Sequence, residues 1–174
     1  MQKYATEAYE AILEADRQSL EKFSGHGNAL AQGYNHMILP LANSRDKKTQ
    51  IVWGIKDFEF RLGRKPEGLW LPETAVDLES LDLMAQHGIG FAILSPSQAH
   101  RVRPIDGNDW QDVSGARIDP GMAYRVSLPS GRVMAVFFYD GPISQALAFE
   151  GLLNNGETFA NRLLSAFPDD HSAP

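Results

Sequence analysis

An α/β fold organised around a parallel sheet is predicted by three observations. Stretches with helical spacing of apolar residues alternate with short apolar runs. The links between them are short. Gly and Pro mark the boundaries, as they do in successive βαβ units. The chain has 174 residues, the size of one domain, and is expected to be a single segment. That length is too short for a complete eight-stranded barrel of about 250 residues.

The elements follow in order. Met1 to Phe23 is rich in Ala, Glu, Leu and Lys, and Ala5, Tyr9, Ile12 and Leu13 fall on one helical face. Ser24-Gly25 is placed to end that helix. Asn28 to Leu41 reads as strand or loop, closed by Pro40. Asn43-Ser44-Arg45-Asp46 supplies N-cap residues for a helix with Ile51, Ile55, Phe58 and Leu62 inward, stopped by Gly63 and Pro66. Gly68 to Pro72 reads as a buried strand. Thr74 with Asp77 resembles a capping box, so the next helix is expected to start there and to carry Leu78, Leu81 and Ala85 inward as far as Gly88. Phe91 to Leu94 is the next strand.

Beyond Pro96 the texture changes. His100 to Gly121 reads as a polar, irregular excursion. Tyr124, Val126 and Leu128 alternate with polar residues, Pro129-Ser130-Gly131 is a turn, and Val133 to Tyr139 is an unbroken apolar run. This predicts an inserted β-hairpin whose second strand is central. C-terminal helices are expected over about Ile143 to Leu153 and Thr158 to Phe167.

Composition narrows the function. Hydrophobic residues at 43% and charged residues at 22% fit a soluble globular protein. A net charge of −6 argues against nucleic acid or an anionic membrane as partner. No apolar run nears the roughly 20 residues of a membrane helix, and the first residues lack a signal-peptide layout. Cysteine is absent, which removes disulfides, thiolate nucleophiles and cysteine zinc sites. A reducing compartment is compatible with this, and a cytoplasmic location is expected. The five histidines, His26, His36, His87, His100 and His171, form no tight ligand pair, so no metal and no cofactor is expected. The chain also lacks a GxxxxGK phosphate loop, a GxGxxG fingerprint and a GxSxG elbow. Arg61, Arg64 and Lys65 read as a solvated face at a helix end.

In a parallel sheet, ligand sites form at the carboxyl ends of strands. Three titratable groups stand at such ends: Glu73, Asp140 and His36. Each has a second reading. Glu73 also suits a first-turn acid. Asp140 suits an Asx-type turn. His36 suits a structural histidine. Trp70 serves either core packing or a face for a sugar ring.

Three blocks, taken together, resemble glycoside hydrolase family 57. They are Asn35-His36-Met37-Ile38-Leu39-Pro40-Leu41, Gln50-Ile51-Val52-Trp53-Gly54-Ile55, and Phe60 through Glu73 with its Trp70-Leu71-Pro72-Glu73 ending. Phe137 to Ser144 looks like the subgroup with an additional C-terminal domain of unknown function. The resemblance runs from about Gly25 to Phe167. It implies part of an incomplete (β/α)7 barrel, a TIM-like barrel, acting on an α-glucan or maltooligosaccharide by hydrolysis or transfer. It implies a retaining mechanism with Glu73 as nucleophile, and His36, Trp70 and Asp140 on the substrate. The family's acid/base block, expected to read like Thr-Asp-Gly-Glu, and its early His-rich block are not in this sequence. The chain is therefore expected to be a central barrel segment, inactive by itself. Exposed barrel edges favour self-association. A degenerate carbohydrate-binding scaffold, a metal-dependent deacetylase-like barrel and a purely structural domain are the competing readings.

Overall fold

The computed structural model describes residues 2–165. Among the described residues there are five helices, α1 (Thr6–Lys22), α2 (Ser44–Leu62), α3 (Leu78–Gln86), α4 (Gly141–Phe149) and α5 (Gly156–Leu164), and the seven strands that follow. These are β1 (Ala31–Gln32), β2 (Gly68–Trp70), β3 (Phe91–Leu94), β4 (Arg101–Val102), β5 (Gln111–Asp112), β6 (Tyr124–Ser127) and β7 (Val133–Phe138). One sheet has the order β1-β2-β3-β7-β6, and β4 pairs with β5 separately. Among the described residues, no helix is long and apolar enough to cross a membrane. The chain divides into two compact units. The first holds the described residues up to Ala92 and Val126–Ala135, and the second holds Ile93–Arg125 and the described residues from Val136 onward.

In the first unit, α2 forms where the spacing predicts it. Asn43 caps it by accepting the Asp46 N–H at 3.0 Å. Gly63 ends it at φ 68°, a left-handed conformation that glycine takes without a Cβ clash. Its inner face buries Ile51, Ile55 and Phe58 as expected, and also Lys47, Gln50 and Gly54. The strand after it is parallel to β1, with Ala31 opposite Leu69 and Gln32 opposite Trp70. Leu69 and Leu71 are fully buried.

The start of α3 differs from expectation. Glu73 and Thr74 both have positive φ, at 54° and 51°. Residues in that region cannot begin a right-handed helix. Leu71–Thr74 instead makes a tight turn, closed by the Thr74 N–H on Leu71 O at 2.9 Å, and Asp77 caps α3 by accepting the Ser80 N–H at 2.8 Å. In α3 Ser80, Leu81 and Met84 are buried, Ala85 is half-buried and Leu78 is exposed.

The first helix also differs. Of the expected apolar face, Ala5 and Ile12 are exposed and Tyr9 and Leu13 half-buried, and the residues that α1 buries are Asp16 and Ser19. Asp16 receives a two-pronged hydrogen bond from Arg64, Nε at 2.8 Å and Nη2 at 2.7 Å, and a third from the Ala29 N–H at 2.8 Å. Arg64 therefore does not belong to a solvated face. Its guanidinium also lies 4.8 Å from the Phe58 ring centre.

In the second unit, the polar excursion contains the antiparallel pair β4–β5, with Arg101 opposite Asp112. The Arg101 guanidinium lies 4.6 Å from the Trp110 ring centre. The Tyr139 N–H donates to Leu94 O, and in the first unit the Ala135 N–H donates to Gly90 O, so β7 runs parallel to β3. The hairpin turn, in the first unit, is closed by the Leu128 N–H on Arg132 O at 2.9 Å. β7 lies inside the sheet order, as expected of the hairpin's second strand. Only alternate residues of β7 are buried, namely Met134, Val136 and Phe138. The predicted helix from Ile143 is in fact α4 followed by a separate 3₁₀ turn at Leu152–Asn154, because Gly151 adopts φ 68° between them. The expected end of the last helix at Phe167 lies outside the described residues, as does His171.

Candidate functional site

Parallel pairing of β1 and β2 brings their carboxyl ends side by side. His36 lies four residues beyond Gln32, and Glu73 lies three beyond Trp70. The two side chains meet: His36 Nε2 is 2.8 Å from Glu73 Oε1. An ionised carboxylate only accepts, so beside it the Nε2–H donates. Among the described residues, Glu73 Oε2 has no hydrogen-bond partner.

Both side chains are open to solvent, at 62% exposure for His36 and 72% for Glu73. Their backbones are held more firmly. The His36 segment runs into fully buried Leu39. Glu73 follows buried Leu71 and Pro72, and its left-handed conformation turns it off the strand end. Such a conformation costs on the order of 1–3 kcal/mol at a non-glycine residue and persists where flanking structure fixes it. Trp70, on β2, is half-buried.

The neighbouring carboxylates are engaged elsewhere. Asp77 and Glu79 both accept from Lys47 Nζ, at 2.5 and 2.7 Å. Burial pushes Asp77 up, but Lys47 and Ser80 outweigh it and hold the group below the ordinary carboxylate range. Lys47 is only 3% exposed; burial alone would lower its affinity for a proton, and the two carboxylates reverse that. Glu67 pairs with His26 at 2.9 Å.

Asp140 lies in the second unit, two residues past β7, and caps α4: its Oδ1 accepts the Ile143 N–H at 2.8 Å. That is the local role its Asp-Gly context suggested. Among the described residues, no group of three or more His, Asp or Glu is placed to hold a metal ion. A shallow cleft of about 290 Å³ in the first unit is lined by Tyr34, Trp53, Lys56, Asp57 and Phe60. His36, Trp70 and Glu73 do not line it, and the acid–imidazole pair stands on open surface.

The sheet is mostly parallel, with helices linking its strands, as in part of an α/β barrel. The profile of glycosyl hydrolase family 57 matches residues 3–171, and the chain belongs to that family. Three solved structures share its fold. A 4-alpha-glucanotransferase from Thermococcus litoralis superposes with a TM-score of 0.62 at 18% identity, over 98% of this chain and 23% of that one. An exo-type maltose-forming amylase from Pyrococcus sp. ST04 gives 0.62 at 20% identity, over 86% of this chain and 22% of that one. An alpha-amylase from Thermotoga maritima gives 0.57 at 21% identity, over 81% and 25%. The chain thus spans about a quarter of the length of these structures. No curated protein matches it significantly.

Proposed function

We propose that the chain is the nucleophile-bearing segment of a retaining, α-glucan-active glycoside hydrolase or transglycosylase. The observation that carries the reading is the 2.8 Å pairing of His36 with Glu73 at the carboxyl ends of two adjacent parallel strands. Family membership and the Trp70-Leu71-Pro72-Glu73 block support it.

In this reading Glu73 attacks the anomeric carbon of a glucosyl unit with Oε2, the oxygen without a partner among the described residues. His36 holds Oε1 and so fixes the direction of attack. Trp70 supports the carboxylate and offers an aromatic edge beside the sugar. The substrate-side role that the resemblance gives Asp140 belongs to the same proposal. Cleaving a natural glycosidic bond also needs a second carboxyl group, roughly 5–5.5 Å from the first, to protonate the leaving oxygen. The carboxylates nearest Glu73 along the chain are engaged elsewhere, Glu67 with the His26 imidazole and Asp77 and Glu79 in ion pairs with Lys47. The chain alone therefore binds glucan and does not turn it over.

Calorimetry with maltooligosaccharides, paired with a reducing-end assay, tests this. Binding should weaken several-fold in His36→Ala and in Trp70→Ala, with no release of reducing ends by any form. Turnover that disappears in Glu73→Gln would show that the chain holds its own acid. Binding that none of these substitutions alters would place the sugar elsewhere.

A further inference from the structure

Helix α2 buries two polar side chains, Lys47 and Gln50, one turn apart on the same face. Each reaches one of the two segments that meet at the His36–Glu73 pair. Gln50 holds the His36 segment. Its backbone carbonyl accepts the Tyr34 N–H at 3.1 Å, and its side-chain Oε1 accepts the Asn35 N–H at 2.7 Å. Lys47 holds the Glu73 segment. Its ammonium binds Asp77, the residue that caps α3 and closes the loop beginning at Glu73, and also Glu79 in the first turn of α3.

The loop needs such a hold. Two successive non-glycine residues in the left-handed region return to ordinary conformations unless both ends are fixed. Buried Leu71 and Pro72 fix the strand side. On the helix side, the cap of α3 is the fixed point, and Lys47 is the buried group that clamps that cap onto α2. A lysine 3% exposed with two carboxylates is a demanding arrangement, since the desolvated cation must keep both partners. A plain packing contact between two helices needs only apolar side chains.

We infer that Lys47 and Gln50 are positioning residues: α2 acts as a jig that sets the His36 and Glu73 segments in register, so that the imidazole meets the carboxylate. The inference deepens the functional reading above and rests on it for its catalytic consequence. The geometry itself can be tested with no sugar present. The second block of the resemblance thereby gains a physical reason, because Gln50 opens it.

The test is NMR on the full 174-residue chain, reading the nuclear Overhauser contact between the His36 ring protons and the Glu73 side-chain methylene protons. The contact is expected in the wild type. It should be lost in Gln50→Leu and in Lys47→Met while the backbone spectrum stays that of a folded protein. It should return in Gln50→Glu, which keeps an acceptor oxygen, and in Lys47→Arg. A purely structural role would lower Tm and leave the contact in place, and that result would overturn the inference; so would its absence in the wild type. If Lys47→Met does not fold, Glu79→Gln carries that arm, because it removes only the more exposed partner of Lys47 and should weaken the contact. A contact that survives both substitutions overturns the positioning role and leaves glucan binding untouched; a contact missing from the wild type would also remove the pairing on which the functional reading rests.

Discussion

Arg64→Ala is expected to destabilise the protein by about 3–5 kcal/mol, the usual range when one partner of a buried ion pair is removed. Asp16 is 4% exposed and Arg64 14%, so little water reaches either charge to replace its partner. The loss is concentrated on α1, which buries only Asp16 and Ser19 and has little apolar contact to fall back on. The substitution also removes the guanidinium from the face of Phe58 and the hydrogen bond from Arg64 Nη2 to Ala29 O at 3.1 Å. Urea unfolding should show the lower midpoint, and limited proteolysis should cut first within Thr6–Lys22. Asp16→Asn should cost less, because the amide oxygen still accepts from Arg64 and the charge left behind, on Arg64, is the more exposed of the two. A midpoint within experimental error of the wild type would remove the pair from the account of how α1 is held.

The same pair has a pH signature. The hydrogen bond from Arg64 is the largest cause holding Asp16 below its ordinary value, with burial opposing it. A carboxylate with a depressed folded pKa stabilises fully above its unfolded pKa, about 3.9 for Asp. That contribution is lost as pH falls from there through the lower folded value. The stability gap between wild type and Asp16→Asn should therefore be constant near neutrality and shrink below about pH 4.

Gly54→Ala carries the second large effect. A methyl group there would overlap the Gln32 carbonyl oxygen and come within 3.0 Å of its carbon and 3.3 Å of the Tyr34 nitrogen. The obstacle is backbone, which cannot rotate aside. Alanine gains about 1 kcal/mol over glycine from helix propensity. Forced overpacking costs about 1–3 kcal/mol and more where backbone must shift. The net expectation is a loss of about 2 kcal/mol or more, readable as a lower urea midpoint. Because the displaced strand is β1, which leads to His36, the substitution should also weaken glucan binding. Wild-type stability in Gly54→Ala would mean that α2 and β1 are not in such close contact.

Much of this architecture is legible in the residues. Helix α2 reads cleanly because apolar spacing, the Asn43 cap, Gly63 and Pro66 all agree. Strands β2 and β3 read from short apolar runs between turn residues, and the strand-end rule picks out Glu73 and His36 before any contact is known. What was hidden has two physical sources. The first is conformation: Glu73-Thr74 looks like an ordinary helix entry, and nothing in those residue types announces two left-handed residues in a row. The second is separation along the chain. Asp16 and Arg64 pair across 48 residues, and Lys47 and Asp77 across 30, so no local pattern carries either bond. Both pairs place charge where apolar periodicity expects a core or a solvated face. The alternation in β7 was hidden for the opposite reason: Val133 to Phe138 is apolar throughout, so its sequence does not distinguish its two faces.

The central claim is that Glu73 is a nucleophile lacking an acid partner in this chain. An activated donor separates those two parts. In α-maltosyl fluoride the leaving group departs as fluoride with its bonding pair and needs no proton. Attack by the Glu73 carboxylate would form an ester to the anomeric carbon as the carbon–fluorine bond breaks. Without a general base to activate water, that ester should persist long enough for mass spectrometry of the intact protein and its peptides. The expected result is one maltosyl group per chain, on the peptide containing Glu73, and none in Glu73→Gln. No adduct on the folded wild-type chain, or equal labelling of Glu73→Gln, would contradict the assignment.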